Sequence, residues 1–245
     1  MSLAVHTPDS VAGVLTALEQ GGVVLAGGTH VMPRVNTGAT GVTALVSLRR
    51  AGLAGVEMLD ETTVRVGAAT TLTQLANAPE LAFLRSAIDA IASPTIRNLA
   101  TVGGNLFVPQ PYGDLAVCLL ALDAKAELAD GRTVAVAAAE GLVTAVTFAI
   151  PREWRFLKAM RRRLNSAAIV TVAAVLETPR IALGGVAPKP VRAVHAEAAY
   201  AQGVEAAAHA ALDDIDPFDD AYASAWYRRR VVPVHVRRAL LGEEA

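Results

Sequence analysis

Val23-Val24-Leu25-Ala26-Gly27-Gly28-Thr29-His30-Val31-Met32-Pro33-Arg34 is the stretch on which the reading of this chain turns. Its apolar start, Val23–Ala26, predicts a short buried strand. The glycines that follow let the backbone turn sharply and approach a ligand closely, with amides able to cradle an anion. The Thr29 hydroxyl adds a donor. Far along the chain, Thr101-Val102-Gly103-Gly104-Asn105 repeats this chemistry. A glycine pair after a strand also marks an ordinary tight turn. Neither stretch fits GxGxxG or GxxxxGK(S/T), so neither of those nucleotide-binding patterns is supported. Taken together, the two loops point to one extended phosphate-bearing ligand held from two sides.

Composition narrows the class. The chain has 245 residues, 53% of them hydrophobic, enough for a folded core in one large or two moderate domains. Mean hydropathy is positive, yet the best apolar run, Ala167–Leu176, is far too short to span a bilayer, so no membrane insertion is expected. The start, MSLAVHTPDS, lacks the charged and apolar regions of a secretory signal, and a cytoplasmic, reducing location is the expectation. A net charge of −1 gives no support for nucleic-acid binding. The single cysteine, Cys118, falls in an apolar helical pattern, fits core packing and cannot alone hold an iron–sulfur cluster. The five histidines show no metal-ligand spacing.

Around the opening stretch the pattern is mixed. Thr7 and Pro8 are placed to start a helix with Val11, Val14, Leu15 and Leu18 on one face, ended by Gly21-Gly22. Ala44–Leu48 and Thr63–Ala69 read as strands, Thr71 caps a short helix through Ala76, and Leu81–Ala92 reads as a helix stopped by Ser93-Pro94. Asp114 opens a helix over 115–121. Asp130-Gly131 predicts a hairpin turn, and Val143–Ile150 a strand closed by Pro151. Beyond Pro151 the character changes. Trp154–Leu157, Ala167–Leu176 and Ile181–Val186 predict three antiparallel strands. Helices near Val204–Leu212 and Ala221–Leu241 follow, the second kinked or broken at Pro233.

AGGTHVMPR, then SPTIRNLATVGGNL, then Pro111-Tyr112-Gly113-Asp114 and LLALDA resemble, in order, the FAD-binding subunits of the molybdenum hydroxylases, the xanthine dehydrogenase and carbon monoxide dehydrogenase family. FLKAMRRRLNSAAIVTVAAVL, GGVAPKPVRA and YRRRVVPVHVRRAL are similar to later family segments, so the resemblance covers nearly the whole chain.

The resemblance implies an α+β protein. A two-part FAD-binding domain of the vanillyl-alcohol-oxidase and CO-dehydrogenase-flavoprotein (PCMH) type would occupy 1–151, with subdomains of about 1–50 and 51–151. A small α+β C-terminal domain, with a three-stranded antiparallel sheet and helices, would occupy 152–245. The first loop, Leu25, Ala26, Gly27, Gly28, Thr29, His30 and Val31, would hold the FAD diphosphate. Thr101, Val102, Gly103, Gly104 and Asn105 would hold it from the other side. Asp114 and Lys158 match family residues at the cofactor, and Ile91 falls where an apolar side chain packs on it. Without the family match, Asp114 reads equally as a helix cap and Lys158 as a surface lysine. His30 stands where the family has Ser, Thr or Asp, and its role stays open. No side chain is expected to be catalytic, because the flavin carries the chemistry. The implied partners are a large molybdopterin-binding subunit with the molybdenum cofactor and a small subunit with 2Fe–2S clusters. Electrons would pass through FAD to NAD, oxygen or another carrier. The alternatives are a stand-alone flavin oxidoreductase and a scaffold subunit without FAD. The basic runs 161–163 and 228–230 read as subunit contacts. Departures from the pattern are Ala100 in place of glycine, Asn165-Ser166 in place of an aspartate region, a short Val134–Val143 stretch and a short turn at Glu177–Arg180.

Overall fold

The computed structural model describes residues 3–38, 41–162 and 165–243, so Arg163 of the basic run lies outside the described residues. The first unit comprises β1 (Ala4–His6), α1 (Val11–Glu19), β2 (Val23–Leu25), α2 (Val31–Asn36) and β3 (Ala44–Ser47). Its sheet is parallel, in the order β1-β3-β2, with β1 paired to β3 and β3 to β2. Helix α1 lays Val14 and Ala17 on this sheet. Its cap is Ser10, whose hydroxyl accepts from the Gly13 amide, and not Thr7; the proline one residue further on leaves room for a later start.

A second unit follows with β4 (Val56–Met58), β5 (Thr63–Gly67), α3 (Leu72–Ala76), α4 (Arg85–Asp89), α5 (Pro94–Arg97), α6 (Val102–Leu106) and α7 (Asp114–Ala121). It ends in β6 (Lys125–Leu128), β7 (Thr133–Ala135) and β8 (Val143–Ala149). The five strands form an antiparallel sheet ordered β4-β5-β8-β6-β7, and Asp130-Gly131 turns the β6–β7 hairpin. Thr71 caps α3 with a full capping box to Gln74. The helix expected over 81–92 is instead a 3-10 turn, Pro79–Leu84, followed by α4, and Ala92 sits at φ 48°. Ser93-Pro94 ends that run and also starts α5, with the Ser93 hydroxyl accepting from Ile96. Helix α7 is buried at every position, including Cys118, whose thiol burial pushes well above its ordinary pKa. That fits packing and not redox chemistry.

The C-terminal unit holds β9 (Trp154–Met160), β10 (Ala168–Val175), β11 (Arg180–Gly184), β12 (Val191–Arg192), α8 (Val194–Ala199), α9 (Val204–Ala210) and α10 (Ala225–Leu241). The three expected strands are antiparallel neighbours, and short β12 extends them to the order β12-β11-β10-β9. All eight residues of β10 are buried. Val170, Val172 and Ala174 face the C-terminal helices, while Ala173 and Val175 face the core around α7. Two covered faces explain why its sequence is a continuous apolar run. Each buried valine contributes roughly 1.5–3 kcal/mol. Helix α10 starts at Ala225, capped by Ser224, and runs through Pro233 without ending. Packing of Val232, Val236 and Leu240 on the sheet core outweighs the one hydrogen bond the proline cannot donate.

Candidate functional site

The two glycine stretches come together. Strand β2 delivers residues 26–31 to one side of a cleft, and the segment before α6 delivers 100–105 to the other. A first cavity of about 390 Å³ is lined by Ala26, Gly27, Gly28, Thr29, His30, Val31, Thr101, Gly103, Gly104 and Asn105, with Leu48, Ala68, Phe107 and residues 141–143 among its other walls. A second, of about 430 Å³, is lined by Ile91, Ile96, Tyr112, Asp114, Lys158, Ser166 and Tyr222, among others. Thr29, His30, Ala100, Asn105 and Val108 belong to both, so the two form one elongated cleft. Leu25 and Val102 line neither cavity: Leu25 is half-buried in β2, and Val102 lies in the hydrophobic core.

The two sides work differently. Among the described residues, the backbone amides of Gly27, Gly28, Thr29, His30 and Val31 donate to no protein acceptor, and Gly28 has φ 72°. The second stretch is not a loop but the first turn of α6, with Thr101 as its cap. Its amides are engaged within the protein. Val102 donates to the Thr70 carbonyl, Gly103 to that of Ala68, Gly104 to the Thr101 hydroxyl and Asn105 to the Thr101 carbonyl. What this side offers is the Asn105 carboxamide. Its oxygen accepts from the Ala116 amide at 3.3 Å, and its N–H donors meet no acceptor among the described residues. Five free amides and a side-chain amide facing one cleft suit a ligand with anionic oxygens.

Close packing explains the glycines. A Cβ on Gly27 would stand 1.9 Å from the Leu99 carbonyl oxygen, and one on Gly103 would stand 2.8 Å from the Ala68 Cβ. A Cβ on Gly104 would meet the Thr101 hydroxyl at 3.0 Å and lie 3.9 Å from the Ala26 Cβ. Gly27 thus presses the first loop against the segment that leads into α6.

At the far end, Asp114 heads α7, and its carboxylate is not the helix cap. Its Oδ2 accepts from Lys158 Nζ at 2.8 Å and its Oδ1 from the Thr171 hydroxyl at 2.6 Å. Lys158 Nζ also donates to the Ala90 carbonyl at 2.9 Å. Lys158 is therefore a buried, paired lysine and not a surface one. Ile91 is buried beside them and gives the cavity an apolar wall. His30 is exposed at the start of α2, touches both cavities and makes no cap hydrogen bond. The shortened stretch bears on the first cavity through Gly141, Leu142 and Val143. The short turn at Glu177–Arg180 lines neither cavity: it follows the Val175 end of β10, whereas Ser166 and Ala167, which line the second cavity, precede the other end of that strand. Tyr222, Phe107 and Val108 are walls that no sequence pattern marked.

Residues 1–161 match the family described as the FAD binding domain in molybdopterin dehydrogenase, and residues 155–242 match the CO dehydrogenase flavoprotein C-terminal domain. The chain is 28% identical over 253 residues to the xanthine dehydrogenase FAD-binding subunit of Escherichia coli O157:H7, covering 89% of this chain and 87% of that one. It is also 28% identical over 273 residues to the carbon monoxide dehydrogenase medium chain of Hydrogenophaga pseudoflava, covering 96% and 94%. The reconstituted CO dehydrogenase from Oligotropha carboxidovorans contains a chain that superimposes with a TM-score of 0.89 at 28% identity, over 98% of this chain and 97% of that one. This chain belongs to the FAD-binding subunits of the molybdopterin dehydrogenases. It is an oxidoreductase subunit of the xanthine and CO dehydrogenase type, and FAD is its cofactor. No helix among the described residues is long and apolar enough to cross a membrane.

Proposed function

We propose that FAD lies along the cleft with its diphosphate on the free amides of residues 27–31 and the Asn105 carboxamide, and its flavin ring in the second cavity. The row of unengaged amides carries this reading, because a diphosphate supplies the acceptor oxygens that they lack. Thr29 adds a hydroxyl, Gly104 keeps the opposite wall low, and Ile91 and Ile96 give a flat ring an apolar bed. The Lys158–Asp114 pair and Thr171 fix polar groups at the ring end. Bound there, the flavin supplies the redox chemistry.

In the complex, substrate oxidation takes place at a molybdenum cofactor in a large partner subunit. Electrons reach this chain through iron–sulfur clusters in a small one and leave to an acceptor such as NAD or oxygen. The single cysteine supports placing the clusters elsewhere. The proposed setting is the cytoplasm. The test is a visible spectrum of the purified chain before and after added FAD, together with co-purification of partners. Flavin bands and two co-purifying subunits are expected. Loading FAD and then reducing the isolated chain anaerobically with an organic substrate, no partner present, overturns the electron-transfer role in favour of a stand-alone oxidoreductase. Absence of flavin bands in excess FAD overturns the cleft assignment.

A further inference from the structure

The second cavity has a wall built from both halves of the chain. Tyr112 comes from the loop before α7 and Tyr222 from the loop before α10. Their hydroxyls share a hydrogen bond of 2.7 Å, and their rings meet edge to face with centroids 6.2 Å apart at 88°. Both line the cavity, yet Tyr112 is 46% exposed, so the pair stands between the cavity and solvent.

Both tyrosines are anchored to one residue, Gly185. Gln110 Nε2 donates to the Tyr112 carbonyl at 2.9 Å, and Gln110 Oε1 accepts from the Gly185 amide at 2.6 Å. On the other side, Asp220 Oδ1 accepts from the Tyr222 amide at 2.8 Å and Asp220 Oδ2 from Arg228 Nη2 at 2.6 Å. Arg228, with no exposed surface, donates through Nη1 to the Gly185 carbonyl at 2.5 Å. Gly185 thus holds Tyr112 by its N–H and Tyr222 by its C=O. The hydrogen bond it shares with Tyr222, ahead of burial, pushes the Tyr112 phenol up to about 12, so the Tyr112 hydroxyl stays protonated at neutral pH.

We propose that Tyr112 and Tyr222 form a clasp that shields the ring end of the cleft from solutes and so restricts which electron acceptors reach the flavin. The inference rests on the placement of the flavin ring in the second cavity. Edge-to-face aromatic pairing and the hydroxyl contact hold the clasp closed. Its anchors in Gln110 and Arg228 keep both loops in place when no partner is present.

The test is acrylamide quenching of flavin fluorescence in the full chain loaded with FAD. Tyr222→Ala opens the wall, and its quenching constant rises about threefold over the wild type. Tyr222→Phe and Tyr112→Phe each give a smaller rise, and the double Phe variant matches either single one, because all three remove the same hydrogen bond. FAD affinity, titrated in parallel, separates shielding from binding. Unchanged quenching in Tyr222→Ala with FAD still bound overturns the clasp and leaves the cofactor assignment standing. If Tyr222→Ala does not fold, unchanged quenching in both Phe variants overturns the clasp in its place. A wild-type chain that takes up no FAD overturns the cofactor assignment, and the clasp with it.

Discussion

Lys158 Nζ lies 2.8 Å from Asp114 Oδ2, and the two side chains are only 3% and 5% exposed. The pair joins β9 of the C-terminal unit to the first turn of α7. Removing one member leaves the other charge buried without a counter-ion. Asp114→Ala is expected to destabilise the chain by about 3–5 kcal/mol, while the double change Asp114→Leu with Lys158→Met recovers much of the loss. Urea unfolding measures both. A single change no worse than a surface substitution counts against the pair as the bolt between these elements.

Gly104→Asp is expected to abolish FAD binding and leave the fold intact. The new side chain starts 3.9 Å from the Ala26 Cβ of the opposite wall, and its carboxylate repels a diphosphate in the cleft. Gly27→Ala behaves in the opposite manner. Its methyl group overlaps the Leu99 carbonyl, so the thermal midpoint drops before cofactor affinity can be read. Circular dichroism and FAD titration on the two variants separate these outcomes, and unchanged FAD affinity in Gly104→Asp would falsify the proposed diphosphate site.

Asn105→Ala removes a donor from the cleft and an acceptor from the Ala116 amide. A lost hydrogen bond to a charged group is worth about 1.5–3 kcal/mol, so FAD affinity should fall about tenfold or more. Fluorescence titration reads this directly. An affinity within the error of the wild type places Asn105 outside the contact set.

Acid should loosen the five-stranded sheet at one identifiable point. Hydrogen bonds from Arg65, and then from the Thr147 hydroxyl, hold the Glu127 carboxyl below its ordinary value of 4.5, against the effect of its partial burial. A group with a depressed folded value stabilises the fold above its unfolded value and loses that contribution as pH falls through the folded one. Glu127→Gln should therefore be less stable than the wild type at neutral pH, by no more than about 1 kcal/mol for a pair one-third exposed. The difference should shrink as pH drops below 4.5. A gap that does not change with pH excludes the pair as its source.

The strands and the first loop were legible because their signals are local. Val23–Leu25 is an apolar run broken by glycines, and Asp130-Gly131 is a turn dipeptide between two strands. The α6 turn was not, since Val-Gly-Gly-Asn has poor helix propensity. The Thr101 cap and the bonds to Thr70 and Ala68 impose it from outside. Asp114 was visible as a helix start, but its partners sit 44 and 57 residues away, a distance that no local pattern spans. Nothing in the sequence around Tyr222 points to Tyr112, because their meeting depends on how the C-terminal unit seats on α7. His30 lines the cleft, yet its ring finds no hydrogen-bond partner among the described residues.

The contact of Gly27 with the Leu99 carbonyl fixes the width of the cleft by main chain against main chain. A loop pressed there by main-chain contact has few conformations to give up when a ligand arrives. Binding to such a rigid receptor loses little conformational entropy, so affinity is set by how well the ligand matches a fixed shape. A cofactor analogue with one bond more or fewer between its two ends should be rejected by geometry alone, however strong its individual contacts.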